Sequence, residues 1–171
     1  TGNNGNGNLH TNGRLQQGEI REIEMGVSTF ETVLNVQLWK NYADTMEIYL
    51  ETPAGERIGP LSERLGTQRY STGSTQVLIY YGKPGPFQLT QEIYFDLLPA
   101  KDFVDKGIWR IRIRPKKIVN GEIELYLPAQ AALSEGTRFL LPSPEKTITI
   151  PATARKCISV GAYNSYLDSY A

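Results

Sequence analysis

At 171 residues the chain has room for one domain with a real core, or one domain with short flanking pieces, and not for two independent domains. Its 18 basic and 18 acidic residues cancel, which leaves no general basic excess for a nucleic acid or an anionic membrane surface. The single cysteine excludes an internal disulfide and a cysteine-based zinc site, and no apolar run approaches the ~18 residues of a membrane span.

Residues 1–17 are rich in glycine and asparagine and nearly free of apolar side chains, which predicts a loop or frayed lead-in. From Gly18 the pattern changes. IREIEM (20–25) is strand-like with imperfect alternation, and TVLNVQLW (32–39) alternates well enough for a half-buried strand. DTMEIYLE (44–51) puts Met46, Ile48 and Leu50 on one face and runs into TPAG, a turn in which proline fixes φ and glycine frees it. Further strands are predicted over 76–81, 87–97, 107–114 and 118–127. In RIRIRPKK the period of two places Arg110, Arg112 and Arg114 on one face and Ile111 and Ile113 on the other, as in a sheet with one wet face. Asn120-Gly121 accepts the positive φ of a tight turn and predicts a hairpin between this strand and GEIELYL.

Short strands with turn signals between them, and hardly any helical periodicity, predict an all-β fold, an antiparallel β-sandwich. Pattern alone does not separate a jelly roll from an immunoglobulin-like arrangement, although the Cys, Trp, Cys spacing of the latter is absent. Trp39, Trp109, Tyr49, Tyr80, Tyr81, Tyr94 and Tyr126 all fall in strand patterns. They serve either core and cross-strand packing or a flat platform for a sugar.

No self-contained active site is legible. His10 is the only histidine and lies in the polar lead-in, with no serine or cysteine beside it. Asp44, Glu51, Asp96, Asp102 and Asp105 do not have the spacing of paired acid and base, and no segment has the dense oxygen ligands of a calcium loop. The glycines of the start lack the lysine of a phosphate loop. Cys157, in an apolar run, reads as a buried, inert thiol. No metal or cofactor is implied.

The two ends carry a resemblance. TGNNG at 1–5 resembles the Ala-Gly-Asn-Glu-Gly segment of subtilisin-like serine proteases, and TIPATARKCISVGAYNSYLDSYA at 149–171 is similar to the strand that follows it in that fold. In ordinary subtilases a short loop joins these segments, whereas about 140 residues separate them here. That arrangement resembles the Csp-type germination proteases of anaerobic Firmicutes, which carry an inserted jelly-roll domain at this place. The resemblance implies short terminal segments of an α/β subtilisin fold at 1–17 and 146–171 around a jelly-roll-like insert at 18–145. It implies that Asn3 is the oxyanion-hole residue of the parent enzyme, with Gly2 and Asn4 at the rim of its substrate pocket. Asn4 departs from the usual glutamate, which puts substrate preference in doubt. The serine, histidine and aspartate of the triad would lie outside the chain, so His10 is not the catalytic histidine and the fragment alone is expected to be inert.

The partners implied are the parent protease domain, on which the insert packs, and the peptide or protein substrate of the whole enzyme, with no nucleic acid and no membrane. Unpaired apolar edges at 147–150 and 157–162 predict either a dimer through the terminal strands or disorder at the ends. An extracytoplasmic or spore-associated location goes with the family. No signal peptide is visible, which says little for a chain that starts without methionine; if the chain is an excised fragment, its targeting signal was left behind. A non-catalytic carbohydrate- or protein-binding module, using aromatics such as Trp39 or Tyr81, is the alternative.

Overall fold

A computed structural model of the chain describes residues 7–83, 85–86, 88–147, 158, 163–164 and 169–170. Two antiparallel sheets face each other. The first has six strands in the order β1 (His10–Arg14), β10 (Glu122–Tyr126), β3 (Leu34–Asn41), β8 (Thr90–Pro99), β7 (Thr75–Tyr81), β6 (Gly66–Ser71). The second has five: β11 (Arg138–Phe139), β2 (Arg21–Val27), β9 (Gly107–Lys117), β4 (Thr45–Glu51), β5 (Arg57–Ile58). A short ribbon pairs β12 (Tyr163–Asn164) with β13 (Ser169–Tyr170). Among the described residues the only helical element is the 3-10 turn Gln130–Ala132.

Alternation explains the layers. In β3 the residues Leu34, Val36 and Leu38 are fully buried while Asn35, Gln37 and Trp39 are not, because successive side chains leave a strand on opposite faces. From the facing sheet Ile48, Leu50, Trp109, Ile111 and Ile113 meet them, all with no exposed surface. Trp109 can be that deep because its indole N–H donates to the Asp105 carbonyl at 2.8 Å. Successive strands cross between the layers, from β2 to β3, β3 to β4, β8 to β9 and β9 to β10, as jelly-roll-like sandwiches do.

Three points differ from the sequence reading, two of them corrected expectations and one a strand it did not include. The lead-in is not loop throughout: His10–Arg14 pairs in register with Glu122–Tyr126 and forms the edge of the first sheet. Its side chains are too polar to signal a strand. β6 escaped for the same reason, since only Gln68 of its residues is buried. Third, Asn120-Gly121 does not close a hairpin. β9 and β10 lie in different sheets, and the chain turns a corner between them. Gly121 does take the positive φ, +80°, that the pair signals, and a Cβ there would come within 2.6 Å of the Leu15 carbonyl oxygen. What sends the turn to the other layer is Asp44, fully buried at the start of the β4 segment. Its Oδ1 accepts the N–H of Val119 at 2.6 Å and of Asn120 at 3.0 Å, and its Oδ2 that of Gly121 at 2.8 Å. The TPAG turn forms as expected, with Gly55 N–H donating to the Thr52 carbonyl at 2.9 Å and φ of +84° at Gly55.

Candidate functional site

Gly2, Asn3 and Asn4 lie outside the described residues, as does Cys157. Of the expected return segment at 146–171, Lys146, Thr147, Ile158 and the β12–β13 ribbon are described, so most of the edges on which the dimer expectation rests are outside as well.

The structure does show how the described residues near the two ends of the sandwich meet. β1 has one side on β10, and its other side would be a bare edge. The end of β11 and the outgoing segment after it cover it: Phe139 N–H donates to the Asn8 carbonyl at 2.9 Å, Ser143 N–H to the His10 carbonyl at 2.8 Å, and Thr11 Oγ1 to the Leu141 carbonyl at 2.7 Å. The chain therefore comes into the sandwich and leaves it side by side.

His10 locks this junction. It is 3% exposed, with Nδ1 3.0 Å from the Ser143 carbonyl oxygen and Nε2 2.8 Å from Glu124 Oε2, and its ring stacks on Tyr126 at 4.5 Å. Both ring nitrogens thus face oxygen atoms, a backbone carbonyl on one side and a carboxyl group on the other. Glu124 also receives Lys146, whose ammonium is pushed up by that bond. Burial, and then the Glu124 charge, pushes the Tyr126 hydroxyl up. With both nitrogens engaged, the imidazole has none left to take a proton from a nucleophile, and among the described residues no serine Oγ is hydrogen-bonded to it. The cluster is a clamp rather than a base. Its partners are more than a hundred residues away in sequence, so no local signal could have found them.

Beside the clamp, on the outer face of the first sheet, lies a shallow groove of about 220 Å³ lined by Asn35, Gln37, Tyr94, Tyr126, Leu127 and Pro128. Asn35 donates to Asp96 at 2.7 Å, and burial pushes the Asp96 carboxyl up. Of the aromatics expected to form a platform, Trp109 and Tyr81 are instead core residues, 0% and 1% exposed. Trp39, Tyr94 and Tyr126 are partly buried on the outer face, where Tyr80 is exposed.

The arginine stripe faces outward on the second sheet, as the alternation predicts, and is matched by carboxylates from both neighbouring strands. Arg110 Nε lies 2.8 Å from Glu24 and 3.4 Å from Glu22, with Nη1 3.5 Å from Glu51. Arg112 Nε is 2.7 Å from Glu22 but out of line for a hydrogen bond, so this is a charge contact. Lys116 and Arg114 share Glu47, whose carboxyl is held low first by the Lys116 bond and then by the Tyr49 hydroxyl. Among the described residues no group of three or more histidine, cysteine, aspartate or glutamate side chains is placed to hold a metal ion. No helix among them is long and apolar enough to cross a membrane.

A scan against protein-family models finds no match, and a search of curated proteins finds none either. Among solved structures the chain is similar to the CspB protease of Clostridium perfringens, with a TM-score of 0.86 and 30% sequence identity over 98% of this chain. It spans 34% of the length of that protein. The chain is thus related in sequence and in fold to one part of a Csp protease.

Proposed function

We propose that the chain is the jelly-roll insert of a subtilisin-like serine endopeptidase together with short protease segments at either end. The adjacent incoming and outgoing strands carry this reading. A domain whose two ends meet can be placed in a loop of a host fold without pulling that fold apart, and the Asn8–Phe139 and His10–Ser143 backbone bonds hold the ends in that arrangement. The likeness to one third of a protease supports it. In this reading the sandwich packs on the protease and stiffens it, and the triad comes from the host, so the chain alone cleaves nothing.

Asn3, within the segment that resembles the oxyanion loop, supplies a side-chain amide to the developing oxyanion of the host, with Gly2 and Asn4 beside the substrate pocket. The test is Asn3→Ala in the full-length gene product. The reading expects kcat on peptide substrates to fall by about 10²–10³ with little change in KM, because the bond forms in the transition state. An unchanged kcat would remove the assignment.

A further inference from the structure

Phe30 is 66% exposed and takes φ of +73°, a left-handed backbone in which a bulky side chain is strained. Its neighbours impose that conformation. Ser28 N–H donates to Thr137 Oγ1 at 3.0 Å. Glu31, 2% exposed, accepts from Thr137 Oγ1 at 2.6 Å and from Ser134 N–H at 3.1 Å, while its carbonyl accepts from Val104 N–H at 2.8 Å. The last bond also fixes Phe103, which is 43% exposed and meets Phe30 edge to face at 5.2 Å and 81°. Two loops are thus braced from beneath to hold up an aromatic pair that the sandwich leaves largely in water. Glycine would satisfy the Phe30 backbone at lower cost, so the ring has no evident use inside this fold.

The pair does not stand alone. Ile108 and Leu140, 38% and 36% exposed, flank Gly26 of β2, just before the Phe30 loop, and Leu141 follows at 76%. This rim lies at the end of the sandwich where the chain comes in, since Phe139 bonds to Asn8 and Thr137, two residues earlier, to the Phe30 loop. Whatever precedes Asn8 begins beside it. In the similar protease, the matched region leaves about two thirds of the polypeptide to lie elsewhere. We infer that Phe30 and Phe103 are the anchor by which the sandwich docks on the remainder of its own polypeptide, inserting a preformed aromatic edge into an apolar recess there. This deepens the reading above, in which that remainder is the protease. A rigid, pre-braced aromatic loses little entropy on docking, which is the use for which strain at Phe30 is worth keeping.

The experiment compares amide exchange and melting of the 171-residue chain and of the full-length gene product, each as wild type, Phe30→Gly and Phe103→Ala. In the wild-type full-length protein, exchange in loops 28–33 and 100–106 should be slowed by about tenfold or more relative to the chain. Both variants should abolish that difference. In the chain itself Phe30→Gly should leave the melting midpoint unchanged or raise it, which a structural role for the ring would not allow. Phe103→Ala, where the backbone is ordinary, keeps the test valid should the Phe30 loop rearrange. Equal exchange in chain and full-length protein would overturn the inference while leaving an active protease, and with it the reading above, in place. Protection without any peptidase activity would sink the protease reading and keep the docking surface. Protection that grows with concentration in the chain alone would give the surface to a second copy and overturn the inference.

Discussion

Asp44 and Glu24 are both carboxylates that hold strands together, and they do so in opposite environments. Asp44 is fully buried and its partners are three backbone N–H groups that cannot move away. Glu24 is about one third exposed on the outer face of the second sheet and shares Arg110 with Glu22, which water and salt also reach, and with the more buried Glu51. In the first case the carboxylate replaces water that the corner at 118–121 has lost. In the second it competes with water that is still present. Tyr81 is a third case: its hydroxyl is buried with no hydrogen-bond partner among the described residues. The same physics, the cost of removing a polar group from water against what the protein offers in return, ranks the three.

The largest effect should come from Asp44→Asn. Burial by itself pushes the Asp44 carboxyl up, but the N–H donors of Asn120, Val119 and Gly121, with Lys40 nearby, overcome it and hold the carboxyl below the usual aspartate range. The amide loses the charge and turns a donor toward at least one donor of the corner. A loss of about 3–5 kcal/mol in urea unfolding at pH 7 is expected. A depressed folded pKa contributes stability that is complete above the unfolded value of about 4 and is lost as pH falls through the folded one. The gap between wild type and variant should therefore be full above about pH 5 and shrink as the pH falls below the unfolded value of about 4. A gap that is the same at pH 7 and pH 3 would mean that the charge does not hold the corner.

These three cases also show what the sequence could reveal. The strands β3, β4 and β9 were legible because each has one face in the core, and a period of two survives any tertiary context that keeps one face dry. β1 and β6 were not, because both are edge strands whose ladder bonds ask little of the side chains. The Asn120-Gly121 pair signals a positive φ, which Gly121 alone adopts, and the wrong partner strand. Whether such a turn closes a hairpin or a corner depends on Asp44, 77 residues from Gly121, and that separation leaves no local trace. The His10 clamp is illegible for the same reason. The assignment of Asn3 rests on a different kind of signal, the likeness of the short motif TGNNG to a segment of subtilisin-like proteases.

A smaller effect, of opposite sign, tests the unsatisfied member of the set. Tyr81 is 1% exposed, and burial, followed by the charges of Glu63 and Tyr70, drives its hydroxyl far above the ordinary tyrosine range. Tyr81→Phe keeps the ring in the core and removes a polar atom that makes no bond among the described residues. The variant should be as stable as wild type or more stable by up to about 1 kcal/mol. A loss larger than that would show that the hydroxyl has a partner, such as an enclosed water, and would move Tyr81 into the same class as Asp44.

The smallest effect should be that of Arg110→Met. Methionine keeps much of the apolar stem that lies along the sheet and removes the guanidinium, so the change isolates the charge. Arg110 is 29% exposed and serves three carboxylates, but each of those retains water or a second cation: Arg112 stays with Glu22 and Glu51, and Arg57 with Glu51. Exposed pairs of this kind give back in Coulomb energy little more than they lose in side-chain freedom, so the melting midpoint should fall by no more than about 3 °C at low ionic strength. At 1 M salt the Debye length is about 3 Å, comparable to the Arg110–Glu24 separation itself, and the difference should vanish. Asp44→Asn should show no such salt dependence, because ions cannot enter the corner that its carboxylate occupies. A salt-independent deficit in Arg110→Met would mean that the ladder is as dry as that corner, and the contrast between the two carboxylates would not hold.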